Sequence, residues 1–228
     1  MIEINFKDGS SINAEEGIKL FELLKSAPEE LSKGALAAEV NGKVRGLSET
    51  LTEDSSVNFL TFEDEGGRLA FRHTASHVLA QAIQRLYPGT KFAIGPAIND
   101  GFYYDVDSET VFTPELLEKL EDEMRKIIKE NIPLERFELG REEALKLMGE
   151  RGEIYKIELI TDLPEDAVIS FYKQGDFTDL CAGPHLTSTG KLKANAIKLT
   201  SCTGAYWRGD SKRKMLQRIY GTCFPKKE

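Results

Sequence analysis

Hydrophobic and polar positions divide the chain into two unequal parts. "IEINF" (2–6) alternates as a half-buried strand does, "KDGS" is a turn, and "EEGIKLFELLKS" has the spacing of a short amphipathic helix. "AAEVNGKV" reads as a hairpin turning at Asn41-Gly42, and "SVNFLTF" as a closing strand. Strands around one helix predict a small ubiquitin-like β-grasp domain over residues 1–62, with "EDEGG" (63–67) as linker. A long helix is then predicted from about Arg68 to Leu86, stopped by Pro88-Gly89. On it Leu79, Ile83 and Leu86 form the core stripe. His73, His77, Ala80 and Gln84 fall on a face more than about 90° away.

Further along, "FAIGPAINDGFYYDVD" reads as strand, turn and strand, in which Tyr103 and Tyr104 must face opposite ways. "TPELLEKLEDEMRKIIKE" is a helix with Thr113 as its cap and Pro114 in its first turn. "PLERFEL" is a strand, "GREEALKLMG" a short helix, and "DAVISFYKQGDFTDL" a strand leading into a loop at Cys181. "ANAIKLTSCTGAYW" and "KMLQRIYGTCF" read as late strands, the second equally open to a helical reading. Residues 68–224 are thus expected to form a larger α+β domain with the long helix packed on an antiparallel sheet, giving an α+β protein of two domains.

Composition narrows the class. No apolar run among the 228 residues approaches the roughly 18 needed to span a bilayer, and "MIEINFKDGS" lacks the regions of a signal peptide. Three scattered cysteines do not make a disulfide framework, so a cytoplasmic location is expected. The net charge of −8 hides an asymmetry, since residues 191–227 carry ten Lys/Arg and one acid, Asp210. That basic tail suits phosphate contacts and suits a solvated surface equally well.

Chemistry enters with the histidines. There are three, of which His73 and His77 lie four apart on the long helix, and His185 follows Cys181 by the same interval. Two such pairs complete a tetrahedral ligand set for an ion such as zinc. Neutral imidazole is equally a general base that activates water with no ion present. Alone, the first pair reads as unrelated helix-surface residues and Cys181 as a small buried hydrophobe. Alone, too, Lys156 is a surface lysine on a strand, Tyr104 a core aromatic and Asp179 a loop cap.

Four segments in order carry a resemblance: "RHTASHVLAQAIQRLYPGTKFAIGPAINDGFYYDVD", "RGEIYKIELI", "DFTDLCAGPH" and "TGAYWRGDSKRKMLQRIYGT". Together they look like the N-terminal part of a bacterial-type threonyl-tRNA synthetase. The resemblance covers nearly the whole chain. It implies a TGS domain over 1–62, an editing domain over 68–224 shared in outline with alanyl-tRNA synthetases, and at 225–228 the start of a linker to an absent catalytic domain. The implied activity is that of an aminoacyl-tRNA deacylase: post-transfer hydrolysis of serine wrongly esterified to tRNA(Thr), sparing the threonyl ester. By position, His73 with His77 and Cys181 with His185 match the family's two editing pairs, and Lys156, Tyr104 and Asp179 fall where it has pocket residues; these pairs and Lys156 are the catalytic candidates, and Tyr104, Asp179 and the small Ala80 beside the histidines the substrate-binding ones. Water activation falls jointly to His73 and Lys156, with Lys156 as oxyanion donor the alternative.

Tyr206, Arg208, Lys212, Arg213 and Lys214 are the candidates for contact with the tRNA acceptor end, by stacking and by phosphate pairing; Trp207 is read as largely core. No metal is expected to be required. His73, His77, Cys181 and His185 would be the ligands if zinc were present. The chain is expected to be monomeric, the full-length enzyme dimerising through its catalytic domain. Two rivals of other classes are a zinc-dependent hydrolase of another small ester or amide, and a non-catalytic RNA-binding module.

Overall fold

The computed structural model describes residues 1–226, so the expected linker at 225–228 lies partly outside the described residues. Two compact units are present. The first comprises Met1–Phe71 with Gly183–Thr187, and the second Arg72–Ala182 with Ser188 onward.

In the first unit, β1 (Ile2–Phe6), β2 (Ser11–Ala14), β4 (Ala37–Val40), β5 (Lys43–Gly46) and β7 (Ser55–Leu60) form one sheet in the order β2-β1-β7-β4-β5. The β1–β7 pair is parallel and the other pairs antiparallel. A small β3 (Ile18–Lys19) to β6 (Thr50–Leu51) ladder lies apart from it. The alternation in "IEINF" is realised as Ile2, Ile4 and Phe6 turned into a core with Leu20, Leu23, Val57 and Phe59. The expected amphipathic helix is shorter than its pattern. Only α1 (Leu20–Leu23) and α2 (Glu29–Ser32) are helical, because Ile18 and Lys19 are held in the ladder to β6.

Helix α3 (Glu65–Leu86) starts three residues before the predicted Arg68. "EGG" resembles a linker, but its glycines serve close approach: a Cβ on Gly67 would overlap the Thr61 carbonyl and one on Gly66 the Leu60 side chain. Nor does α3 have a solvent face along its middle, since Thr74 to Ile83 are all buried. The predicted stripe beside a histidine face is therefore replaced by a helix embedded nearly all round.

The second unit holds two antiparallel sheets. One runs β14 (Ile197–Tyr206), β15 (Met215–Cys223), β10 (Gly101–Asp107), β8 (Lys91–Phe92), with β9 (Ala97–Ile98) also paired to β10. The other is β11 (Leu134–Leu139), β12 (Ile169–Gln174), β13 (Phe177–Leu180). The single strand expected over "DAVISFYKQGDFTDL" is thus a hairpin, turned at Gly175 with φ 62°. "KMLQRIYGTCF" resolves as strand β15.

Helix α4 (Pro114–Glu130) follows Thr113 as predicted, buries Leu117, Leu120, Met124, Ile127 and Ile128, and ends at left-handed Asn131. Helices α5 (Arg141–Glu150) and α6 (Ile154–Asp162) pack Met148 and Ile160 against Ile169 and Phe171 of β12. Lys156 therefore sits on a helix and is buried, not on a surface strand. No helix among the described residues is long and apolar enough to cross a membrane.

Candidate active site

Within the second unit, α3 and the β12–β13 hairpin bring polar groups into one buried row. The Cys181 Sγ lies 3.4 Å from His73 Nε2. One turn along, His77 Nε2 lies 3.3 Å from Asp179 Oδ2. The two imidazoles stand edge to face with centroids 5.1 Å apart, and His77 packs in the same way on Phe177. Cys181 is held where β13 ends by reciprocal bonds with Ser170: its N–H donates to the Ser170 carbonyl and its own carbonyl accepts from Ser170 Oγ.

Asp179 is the hub. Lys156 Nζ reaches its Oδ1 at 2.6 Å, and Tyr104 donates its hydroxyl to Oδ2 at 2.5 Å while accepting from Lys156 at 3.0 Å. All three side chains are buried. Burial alone would raise the Asp179 carboxyl, but Lys156, His77 and the bond from Tyr104 hold it below the ordinary carboxylate value. Burial, then the Asp179 charge, pushes the Tyr104 hydroxyl well above its ordinary value, so it stays a donor. The Tyr104 ring lies against Gly95, where a Cβ would overlap it. Ser76 links that loop to α3, its hydroxyl 2.6 Å from the Gly95 carbonyl and 2.8 Å from that of His73.

His77 is pushed down to about 3, chiefly by burial, against the pull of Asp179. It is neutral at physiological pH, with Nε2 protonated toward a carboxylate that can only accept. The unfolded chain binds a proton at this ring below its ordinary value of 6.5, whereas the folded chain does not until about 3. Folding stability must therefore fall as pH drops through that window, with a slope approaching about 1.4 kcal/mol per pH unit. Urea unfolding at pH 7, 5.5 and 4.5 should show the decline, and His77→Gln should flatten it. An equally steep decline in that variant would refute the assignment.

Ala80 is fully buried on α3. His185 is buried and belongs to the segment grouped with the first unit, where its carbonyl lies 3.1 Å from the position of a Gly46 Cβ. His73, His77 and Cys181 each present a ligand atom within 4.8 Å of the others. A cavity of about 250 Å³ lined by Tyr87, Phe92, Glu153 and Phe177 also reaches Lys156 and Asp179. Neither His73, His77 nor Cys181 lines it, so it touches the row of polar groups only at its Lys156–Asp179 end.

The basic segment differs from its expected form. Trp207 is core, stacked edge-on against Tyr155, while Tyr206 and Lys212 are exposed. The other cations are paired to acids. Arg208 reaches Glu158 and Asp162, Arg213 donates to Glu158 at 2.6 Å, and Lys214 faces Asp107. Trp207 Nε1 also donates to Glu158, so one carboxylate of α6 gathers the hairpin. Sequence reasoning missed Gln81 and Gln174, both buried, since polar residues on a helix or strand carry no sign of burial.

Residues 169–220 match the model of the threonyl and alanyl tRNA synthetase second additional domain. The chain is 62% identical over 227 residues to a threonine–tRNA ligase of Clostridium kluyveri, 63% to one of Acetivibrio thermocellus and 60% to one of Clostridium tetani. In each case the whole chain is covered but only 35% of the relative, so the chain spans about a third of the length of the curated relatives it matches. Along its whole length the chain is thus similar to threonine–tRNA ligases, and its β12–β15 region matches the additional domain that threonyl and alanyl tRNA synthetases share.

Proposed function

We propose that the second unit hydrolyses the ester of serine wrongly attached to tRNA(Thr) and spares the threonyl ester. The observation that carries this is the row His73–Cys181, His77–Asp179, with Lys156 and Tyr104 at its side. Ester hydrolysis needs a positioned water, a proton acceptor and a donor to the carbonyl oxygen as it becomes an oxyanion. His73 is the acceptor. Lys156, ion-paired to Asp179, donates hydrogen bonds, so its share in water activation is orientation and stabilisation of the oxyanion. Asp179 serves as the internal counter-ion for Lys156. Cys181 lines the site beside His73, and Ala80 and Tyr104 are assigned to substrate binding.

The need for the reaction follows from the substrates. Serine lacks only the methyl of threonine, a difference worth about 1–3 kcal/mol, which a synthetic pocket cannot turn into strong exclusion. A second pocket that admits serine and clashes with the extra methyl reverses the test. On this reading the first unit is a β-grasp TGS domain, the exposed Tyr206 and Lys212 meet the acceptor end, and the chain is a cytoplasmic monomer, which light scattering checks.

The deciding experiment incubates the protein with seryl- and threonyl-tRNA(Thr) and compares release of the two amino acids. Serine should be released at least about tenfold faster, the span one methyl supplies. Equal release, or none, defeats the proposal. Zinc bound by His73, His77, Cys181 and His185 is the second reading, favoured by the 4.8 Å clustering of their ligand atoms in the first three. No metal is required on the reading preferred here: dialysis against a chelator should leave the rate unchanged. A rate lost to the chelator and restored by zinc would transfer the chemistry to the ion.

A further inference from the structure

The contact row between α3 and the β12–β13 hairpin does not stop at His77 and Asp179. One turn further along the helix, Gln81 Nε2 donates to the Gln174 carbonyl at 3.0 Å and to Asp176 Oδ1 at 3.1 Å, while Gln174 Nε2 donates to Gln81 Oε1 at 2.6 Å. Both glutamines are fully buried. The turn sits directly on this pair, a Cβ at Gly175 falling 3.4 Å from Gln81 Nε2. Helix positions 73, 77 and 81 therefore face Cys181, Asp179 and the Gln174–Asp176 turn in succession, and only the last contact uses groups that take no part in the proposed chemistry.

The pair is poorly explained by stability. Gln174 Oε1 is buried with no hydrogen-bond partner among the described residues, a costly condition that an apolar pair of the same shape would avoid. What two directional amides supply and two thioethers cannot is a fixed register. Sliding the hairpin along α3 breaks three bonds at once, whereas an oily contact tolerates it. We infer that Gln81 and Gln174 are positioning residues, clamping the hairpin so that Asp179 and Cys181 meet His77 and His73 at the distances the reaction requires.

This inference rests on the proposed deacylation, and its test keeps the two apart. The variant Gln81→Met with Gln174→Met is compared with wild type for seryl-tRNA(Thr) hydrolysis and for its urea midpoint. The midpoint should be unchanged or higher, KM within twofold, and kcat lower by about tenfold or more, as small misplacements of reacting groups produce. A merely structural pair would leave kcat alone, and a kcat within twofold of wild type overturns the inference. Should the double variant not fold, Gln174→Asn, an amide one methylene short, carries the same expectation. Active wild type with unaffected variants removes only the positioning role, whereas inactive wild type removes the deacylation and this inference with it.

Discussion

Replacing Asp179 by alanine will destabilise the second unit by about 3–5 kcal/mol, the usual cost of stranding one partner of a buried ion pair. Lys156 loses its counter-ion at 2.6 Å, and Tyr104 and His77 lose the acceptor they share. No water replaces it cheaply, because both Asp179 and Lys156 are only 4% exposed in their side chains. Urea unfolding of Asp179→Ala measures the loss. The companion variant Asp179→Leu with Lys156→Met removes both charges and should recover most of the stability while remaining inactive. A single variant as stable as wild type would mean that Lys156 finds another partner and that Asp179 is no hub.

For His73→Ala the effect should fall on rate, not on folding. Removing a general base from a hydrolytic site costs about 10²–10⁴-fold in kcat. His73 is only partly buried, so its truncation leaves a much smaller defect in the core than a change at His77. Single-turnover hydrolysis of seryl-tRNA(Thr) reports the rate, and an unimpaired variant would remove His73 from water activation. Cys181→Ser refines the picture, since a hydroxyl can occupy the thiol's place 3.4 Å from His73. A loss under about tenfold fits a lining role, and full loss would instead mark the thiol as a nucleophile.

How much of this was legible in the sequence depends on what each pattern could reveal. The "IEINF" strand and helix α4 were readable because their patterns match the elements they form, down to Thr113 at the start of α4. Helix α6 was not. Its Ile154, Tyr155 and Ile157 favour a strand locally, but burial of Ile160 against β12 and of Tyr155 against Trp207 overrides that preference. The His73–Cys181 and His77–Asp179 contacts follow the spacing of the histidines, which a helix places on one side. The buried amides of Gln81 and Gln174 left no such trace, since nothing in a polar residue's neighbours tells whether water or a hairpin will face it.

The clasp of Arg208, Arg213 and Trp207 on Glu158 has a practical corollary for anyone scanning that segment. Neutralising either arginine slackens the tether on the helix bearing Lys156. Such variants should therefore turn over slowly even with a minimal seryl-adenosine that offers no polyanionic tail to grasp. High ionic strength, by weakening the same tether, should mimic them in the unaltered protein.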